Sequence, residues 1–270
     1  MQSAANSMQR TSVYPYFRAT CEICKNLKWH YMSSRTRCNV CGKPTVFLCL
    51  DGKDPWIRRC IWCRSTPKYR AIVHTIADWA GIALKSFLQT HKVYELSSTS
   101  PIHRLYNSHP NYICSAYCSD HPFGTKLSSG VWNEDLQRLS FPDNSFDLII
   151  SSETMEHVRR PWRGFSEIAR VLRPGGAHCY TVPYRGDRTT ASRVDTSAEE
   201  DVYLYPKVYH LDPHKPEDSL VYTDFGRDLP EILRVCGFST EQHSVWSEAY
   251  DIRDDLSPVT VFVSVKGPIR

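Results

Sequence analysis

The chain has 270 residues, 41% hydrophobic and 23% charged, with a formal net charge of +4. That balance excludes a disordered polyelectrolyte and is enough to bury the core of one large domain or two modest ones. No run approaches the roughly 18 apolar residues that a membrane-spanning helix needs, so no membrane partner is expected.

Residues 1–20 are polar with scattered aromatics and lack an apolar stretch followed by a small-residue cleavage site. They read as a flexible N-terminal arm, and the expected compartment is cytoplasmic and reducing. Seven of the 11 cysteines precede residue 64. In a reducing compartment such clustering points to metal rather than disulfides. Residues 1–90 carry 14 Lys and Arg against 4 Asp and Glu, whereas the remainder is acidic. The skew fits an anionic partner, and it equally fits charge that offsets metal-bound thiolates.

Residues 21–65 form a Cys-rich module of short turns between three CxxC pairs, Cys21/Cys24, Cys38/Cys41 and Cys60/Cys63. Two intervening residues let both sulfurs of a pair converge on one metal, and two pairs complete a zinc tetrahedron. Cys38, Cys41, Cys60 and Cys63 are the preferred set, with Gly42 suiting the tight knuckle. The pair Cys21 and Cys24 either builds a second site with groups such as Cys49 and His30 or stays free.

From Pro67 the pattern turns helical. Ile72, Val73, Ile76, Ala77 and Ala80 recur on one face, Thr66 is placed to cap, and Gly81 breaks the segment before Ile82–Leu88. Lys92–Leu96 reads as a strand, Ile102–Asn107 as a short helix after Pro101, and Tyr112–Ala116 as a second strand. Phe146–Ser151 is a buried-type strand. Pro161–Leu172 is an amphipathic helix ended by Pro174-Gly175-Gly176, and Ala177–Val182 is the next strand. A helix over Asp228–Val235 and a β-branched strand over Val259–Val265 complete the list. Strands alternating with helices over 90–270 predict an α/β, doubly wound sheet.

Three stretches carry a family resemblance: Leu139-Ser140-Phe141-Pro142-Asp143-Asn144-Ser145-Phe146-Asp147-Leu148-Ile149-Ile150, then Glu156-His157-Val158, then Glu167 through Gly176. Together they resemble the class I S-adenosylmethionine-dependent methyltransferases of the broad small-molecule branch. The CxxC pairs followed by Arg64-Ser65-Thr66-Pro67-Lys68-Tyr69-Arg70 resemble a subgroup that places a zinc ribbon before the methyltransferase domain. The resemblance implies a Rossmann-like methyltransferase sheet over 66–270 behind a small N-terminal zinc-binding module, with S-adenosylmethionine and zinc as cofactors.

Carried over residue by residue, Glu95 matches the acid that opens the cofactor loop. Ser97 and Ser98 stand where the family has glycines. Asp135 matches the adenine-contacting acid, Leu136 flanks the ring, and Ser152 ends the strand beside the crevice. The acid expected to hold the ribose has no counterpart before Asp120. His157 and His210 are the candidate general bases, each with a plain packing role as the alternative. The aromatic-rich insertion over about 184–222 reads as a substrate lid or as a surface excursion padding the sheet edge.

The expected activity is O- or N-methylation of a small-molecule or glycan-like acceptor. The alternatives are an RNA methyltransferase whose basic zinc module grips nucleic acid, and a non-catalytic zinc protein on a methyltransferase fold. The chain lacks a dense Lys/Arg run and an Asn/Asp-Pro-Pro-aromatic tetrapeptide after the Phe146–Ser151 strand, which disfavours base-amine methylation.

Overall fold

The computed structural model describes residues 36–49, 57–210, 219–253 and 257–268. The predicted arm over 1–20, the pair Cys21 and Cys24, His30 and the Cys49 side chain lie outside the described residues, as do 211–218 of the insertion.

Two short strands, β1 (Phe47–Cys49) and β2 (Arg58–Cys60), pair antiparallel beneath the cysteine turns. Helix α1 (Pro67–Ala80) follows and ends on Gly81, whose φ of 69° no β-carbon-bearing residue adopts cheaply. Thr66 lies at the cap position, but its side chain makes no capping bond; Pro67 at the first helical position removes one donor in need of a partner. Helix α2 (Leu84–Phe87), β3 (Val93–Glu95), α3 (Pro101–Tyr106) and β4 (Tyr112–Ala116) come next. Two-residue strands β5 (Thr125–Lys126) and β6 (Trp132–Asn133) precede the long β7 (Phe146–Ser152).

Helix α4 (Pro161–Val171) runs directly into β8 (Leu172–Thr181). The Pro-Gly-Gly run expected to end the helix lies instead inside β8. There the register with β7 breaks, Gly175 takes φ 78°, and a β-carbon on Gly176 would meet the Asp147 carbonyl at 2.9 Å. The glycines therefore serve a tight approach between strands rather than a helix cap.

After β8 the chain makes an excursion of small strands: β9 (Tyr184–Arg185), β10 (Ala191–Ser192), β11 (Val194–Asp195) and β12 (Val202–Tyr203). It returns through β13 (Thr223–Gly226) to α5 (Leu229–Val235), β14 (Phe238–Val245) and β15 (Val259–Lys266).

The main sheet has the order β14-β15-β8-β7-β3-β4-β6-β5. Strands β6, β4, β3, β7 and β8 are mutually parallel, whereas β15 is antiparallel to both β8 and β14. One face buries Ile72, Ile76, Leu148 and Ile150 under α1, in the same core as Cys38, Cys60 and Phe47 of the cysteine knuckles. The other face buries Tyr94, Phe146, Ile149, Phe165 and Leu233 under α4 and α5. The chain leaves β3 toward β4 and later returns to β7 on the opposite side of β3. That reversal opens a crevice beyond the carboxyl ends of β3 and β7, where doubly wound sheets bind their ligands.

Candidate functional site

The sequence brings four cysteines together at the edge of the α1 face. The Sγ atoms of Cys38 and Cys63 are 3.7 Å apart, and those of Cys41 and Cys60 are 3.9 Å apart. All four lie within 4.8 Å of one another. A tetrahedron with Zn–S bonds near 2.3 Å has S···S edges of about 3.8 Å, so the cluster has the dimensions of a tetrathiolate zinc centre. Ser65 Oγ lies 3.3 Å from Cys38 Sγ and Thr45 Oγ1 lies 3.2 Å from Cys60 Sγ, giving the sulfurs outer partners. Burial pushes the Cys41 thiol up to about 11.

Arg70 ties this knuckle to the domain. It is fully buried, stacks 4.0 Å from the Phe47 ring centroid, and donates to the carbonyls of Arg58 and Ser65. Its other terminal nitrogen donates to the Asp251 carbonyl at 2.7 Å and the Asp251 carboxylate at 3.2 Å. Arg58 pairs with the same carboxylate. Part of the basic charge of the first third is therefore consumed internally.

The crevice is built by the loop after β3. Glu95 is fully buried at its entrance; the Tyr112 hydroxyl donates to Oε2, and Oε1 has no hydrogen-bond partner. Burial pushes its carboxyl up to about 7. Ser97 and Ser98 are partly buried, and neither has a positive φ, so this loop needs no glycine. Ser100 Oγ accepts from the His103 amide and caps α3. Arg104 donates to the Thr99 carbonyl at 2.8 Å and to the Cys63 carbonyl at 3.2 Å, linking the loop to the cysteine knuckle. From α1, Lys68 pairs with Glu153 at 2.9 Å just beyond β7.

On the β4 side, Asp135 is partly exposed, and its carboxylate accepts from the Gln137 amide at 2.9 Å and the Gln137 side chain at 3.2 Å. Leu136 turns its side chain into the core: a β-carbon on Gly164 of α4 would meet it at 3.3 Å, so what it presents outward is backbone. Ser152 Oγ lies 3.0 Å from Thr181 Oγ1, bridging β7 and β8. Glu134 is buried and accepts from the Ser140 amide and hydroxyl.

A second group of polar residues follows β7. Glu156 and His157 lie on the single turn Met155–His157. His210 comes from the excursion, whose chain is pinned here by Tyr222 N donating to Glu156 O at 2.8 Å and by Arg159 Nε donating to Asp201 Oδ1 at 2.7 Å. Glu156 is fully buried, and neither carboxylate oxygen has a hydrogen-bond partner. His157 Nε2 and His210 Nδ1 each stand 3.6 Å from Glu156 Oε1. The two imidazoles meet edge-on with centroids 5.0 Å apart. Burial raises the Glu156 carboxyl, and Glu156 in turn raises His210. The two histidines singled out in the sequence are thus neighbours, and Glu156 is the member that sequence reasoning did not assign. Its signal was present as the Glu-His pair after β7, but its contact with His210 spans 54 positions and has no periodicity.

The excursion also bounds an open groove of about 510 Å³ lined by Arg160, Trp162, Arg163, Val194 and Leu204. That groove flanks the start of α4 and not the carboxyl ends of the central strands.

Residues 113–180 match the sequence family described as a methyltransferase domain. An uncharacterized methyltransferase of Mycobacterium avium (strain 104) is 53% identical over 38 residues, which cover 14% of this chain and 15% of the relative. One from Mycobacterium sp. (strain KMS) is 46% identical over 56 residues, 19% of this chain and 22% of the relative. The matches thus span about a sixth to a fifth of these curated relatives. Among solved structures, Burkholderia thailandensis 1,6-didemethyltoxoflavin-N1-methyltransferase, bound to its substrate and S-adenosylhomocysteine, aligns with a TM-score of 0.43 at 14% identity, covering 97% of this chain and 94% of that one. A complex of the Haloferax volcanii Trm112 methyltransferase activator with a methyltransferase aligns with a TM-score of 0.43 at 17% identity, covering 73% and 96%. The matched stretch runs from β4 through β7 and α4 into β8, along the parallel part of the main sheet. Among the described residues no helix is long and apolar enough to cross a membrane.

Proposed function

We propose that the chain binds S-adenosylmethionine across the loop Glu95–Ser100 and transfers its methyl group to a hydroxyl or amine of a small-molecule or glycan-like acceptor. The observation that carries this reading is Glu95: a fully buried carboxylate with a free oxygen, at the topological switch point of the sheet. Such a group is costly to ionise unless a cation meets it, and the ammonium of the cofactor's amino-acid moiety is such a cation.

In this reading Ser97 and Ser98 offer backbone close to the cofactor, and Asp135 accepts from the adenine amine. Leu136 contributes main chain beside the ring, and Ser152 borders the methyl-bearing end. The cofactor supplies an electrophilic methyl on a sulfonium, so the protein's task is alignment and, for a hydroxyl acceptor, removal of a proton. His157 Nδ1 donates to the Leu220 carbonyl at 2.9 Å, which fixes the tautomer and leaves Nε2 free to accept. His210, its basicity raised by Glu156, is the second acceptor of a proton. The cysteine knuckle holds zinc and acts as a staple that fixes α1 and, through Arg104, the cofactor loop.

Internal use of Arg58 and Arg70 supports a structural role for the basic zinc module over a nucleic-acid grip. Isothermal titration with S-adenosylhomocysteine tests the reading: one molecule per chain is expected. Absence of binding would overturn it, and salt-dependent retention of RNA would redirect it to a nucleic-acid acceptor.

A further inference from the structure

We propose that Glu156, His157 and His210 form a second metal site, which takes a first-row divalent transition ion independently of the cysteine cluster. The three side chains come from two separate parts of the chain, yet one ligand atom of each lies within 4.8 Å of the others. His157 Nε2 and His210 Nδ1 are each 3.6 Å from Glu156 Oε1. That separation is too long for a hydrogen bond. It is the separation expected of atoms sharing one ion: metal–ligand bonds of about 2.0–2.2 Å set tetrahedral edges of about 3.3–3.6 Å.

Two further observations point to an ion. The Glu156 side chain is fully buried, and both its oxygens lack hydrogen-bond partners. A carboxylate in that condition bears a desolvation cost that only the two nearby imidazoles offset, and neither is within hydrogen-bond distance. Also, His157 donates its other ring nitrogen to a backbone carbonyl, Leu220 O at 2.9 Å. Metal-bound histidines are held in this way, because the donated proton leaves the opposite nitrogen as a lone pair aimed at the ion.

Ligand type sets the class of ion. Two imidazoles with one carboxylate suit zinc, cobalt, iron or manganese, whereas calcium and magnesium prefer all-oxygen sites. Three protein ligands also leave a position for an outside oxygen donor, the arrangement of catalytic rather than structural centres; with an ion bound, His157 and His210 are ligands and no longer the proton acceptors of the ion-free chain. With Glu153 and Lys68 flanking at the end of β7, that position lies on the acceptor side assigned above, and only this last point rests on the proposed function.

Cobalt(II) is the probe. Full-length protein, its cysteine cluster already loaded with zinc, is titrated with Co²⁺ and followed by visible absorption. One Co²⁺ per chain is expected, with weak d–d bands and no thiolate charge-transfer band. Glu156→Gln and His210→Ala should each weaken uptake by at least about tenfold while retaining the first zinc. His210 is partly exposed on the excursion, so its truncation tests the site even if Glu156→Gln fails to fold. No uptake by the wild type, unchanged uptake in both variants, or a thiolate band would overturn the proposal. Cobalt uptake by protein that binds no S-adenosylhomocysteine would sink the methyl-transfer reading and leave the metal site standing.

Discussion

Replacing Glu95 with Gln probes the switch point through its proton. In the folded chain burial pushes this carboxyl from its ordinary 4.5 up to about 7. Between those values the folded state keeps a proton that the unfolded chain has released. Its stabilising contribution is therefore full below about pH 4.5 and lost as pH rises through about 7. At about 1.4 kcal/mol per unit, the loss approaches about 3.5 kcal/mol, an upper bound because the crevice relaxes around the charge. Glu95→Gln is neutral at every pH and keeps an oxygen to accept from Tyr112. Relative to wild type it should gain up to about 3.5 kcal/mol between pH 4.5 and pH 8, read from paired urea denaturation curves. The same substitution should weaken S-adenosylhomocysteine, whose ammonium would lose its counter-charge. A stability difference that does not change with pH would refute the argument that Glu95 is held protonated by burial.

Asp135→Ala should weaken S-adenosylhomocysteine by about 1–2 kcal/mol, the worth of one hydrogen bond to a charged group, as measured by calorimetry; unchanged affinity would place the adenine elsewhere. Cys60→Ser should purify with less zinc per chain than wild type by metal analysis and should melt below wild type, since a structural ion's binding energy is folding energy. Arg70→Leu should cost about 3 kcal/mol in urea denaturation, because it removes a partner of Asp251 inside the core; a cost under about 1 kcal/mol would mean that Arg58 and Arg253 satisfy that carboxylate without it.

Much of this arrangement was legible because it is local. The helical period from Ile72 to Ala80, the apolar run Phe146–Ser151 and the β-branched Val259–Val265 each specify their own element, and the structure has all three. Two CxxC pairs announced the cysteine cluster for the same reason: the spacing itself brings the sulfurs together. Strand β14 escaped notice because it is an edge strand, with the polar stretch Ser239–Ser244 facing largely outward and no apolar alternation to read. The Pro174-Gly175-Gly176 run misled as a helix stop because glycine permits a strand bulge as readily as a cap. Ser97 and Ser98 stand where the resembled family has glycines, and their backbone stays out of the left-handed region that would require one. The Glu156–His157–His210 group was half visible: both histidines stood out as titratable, whereas their convergence on one buried carboxylate is a tertiary fact.

The central claim is that the crevice beyond β3 and β7 holds the cofactor. Crystals of the zinc-loaded chain grown with S-adenosylhomocysteine test it most directly. Density for the ligand is expected across Glu95–Ser100, its ammonium against Glu95 and its adenine amine at Asp135. Ligand density in the groove beside Trp162, or none at saturating concentration, would contradict it.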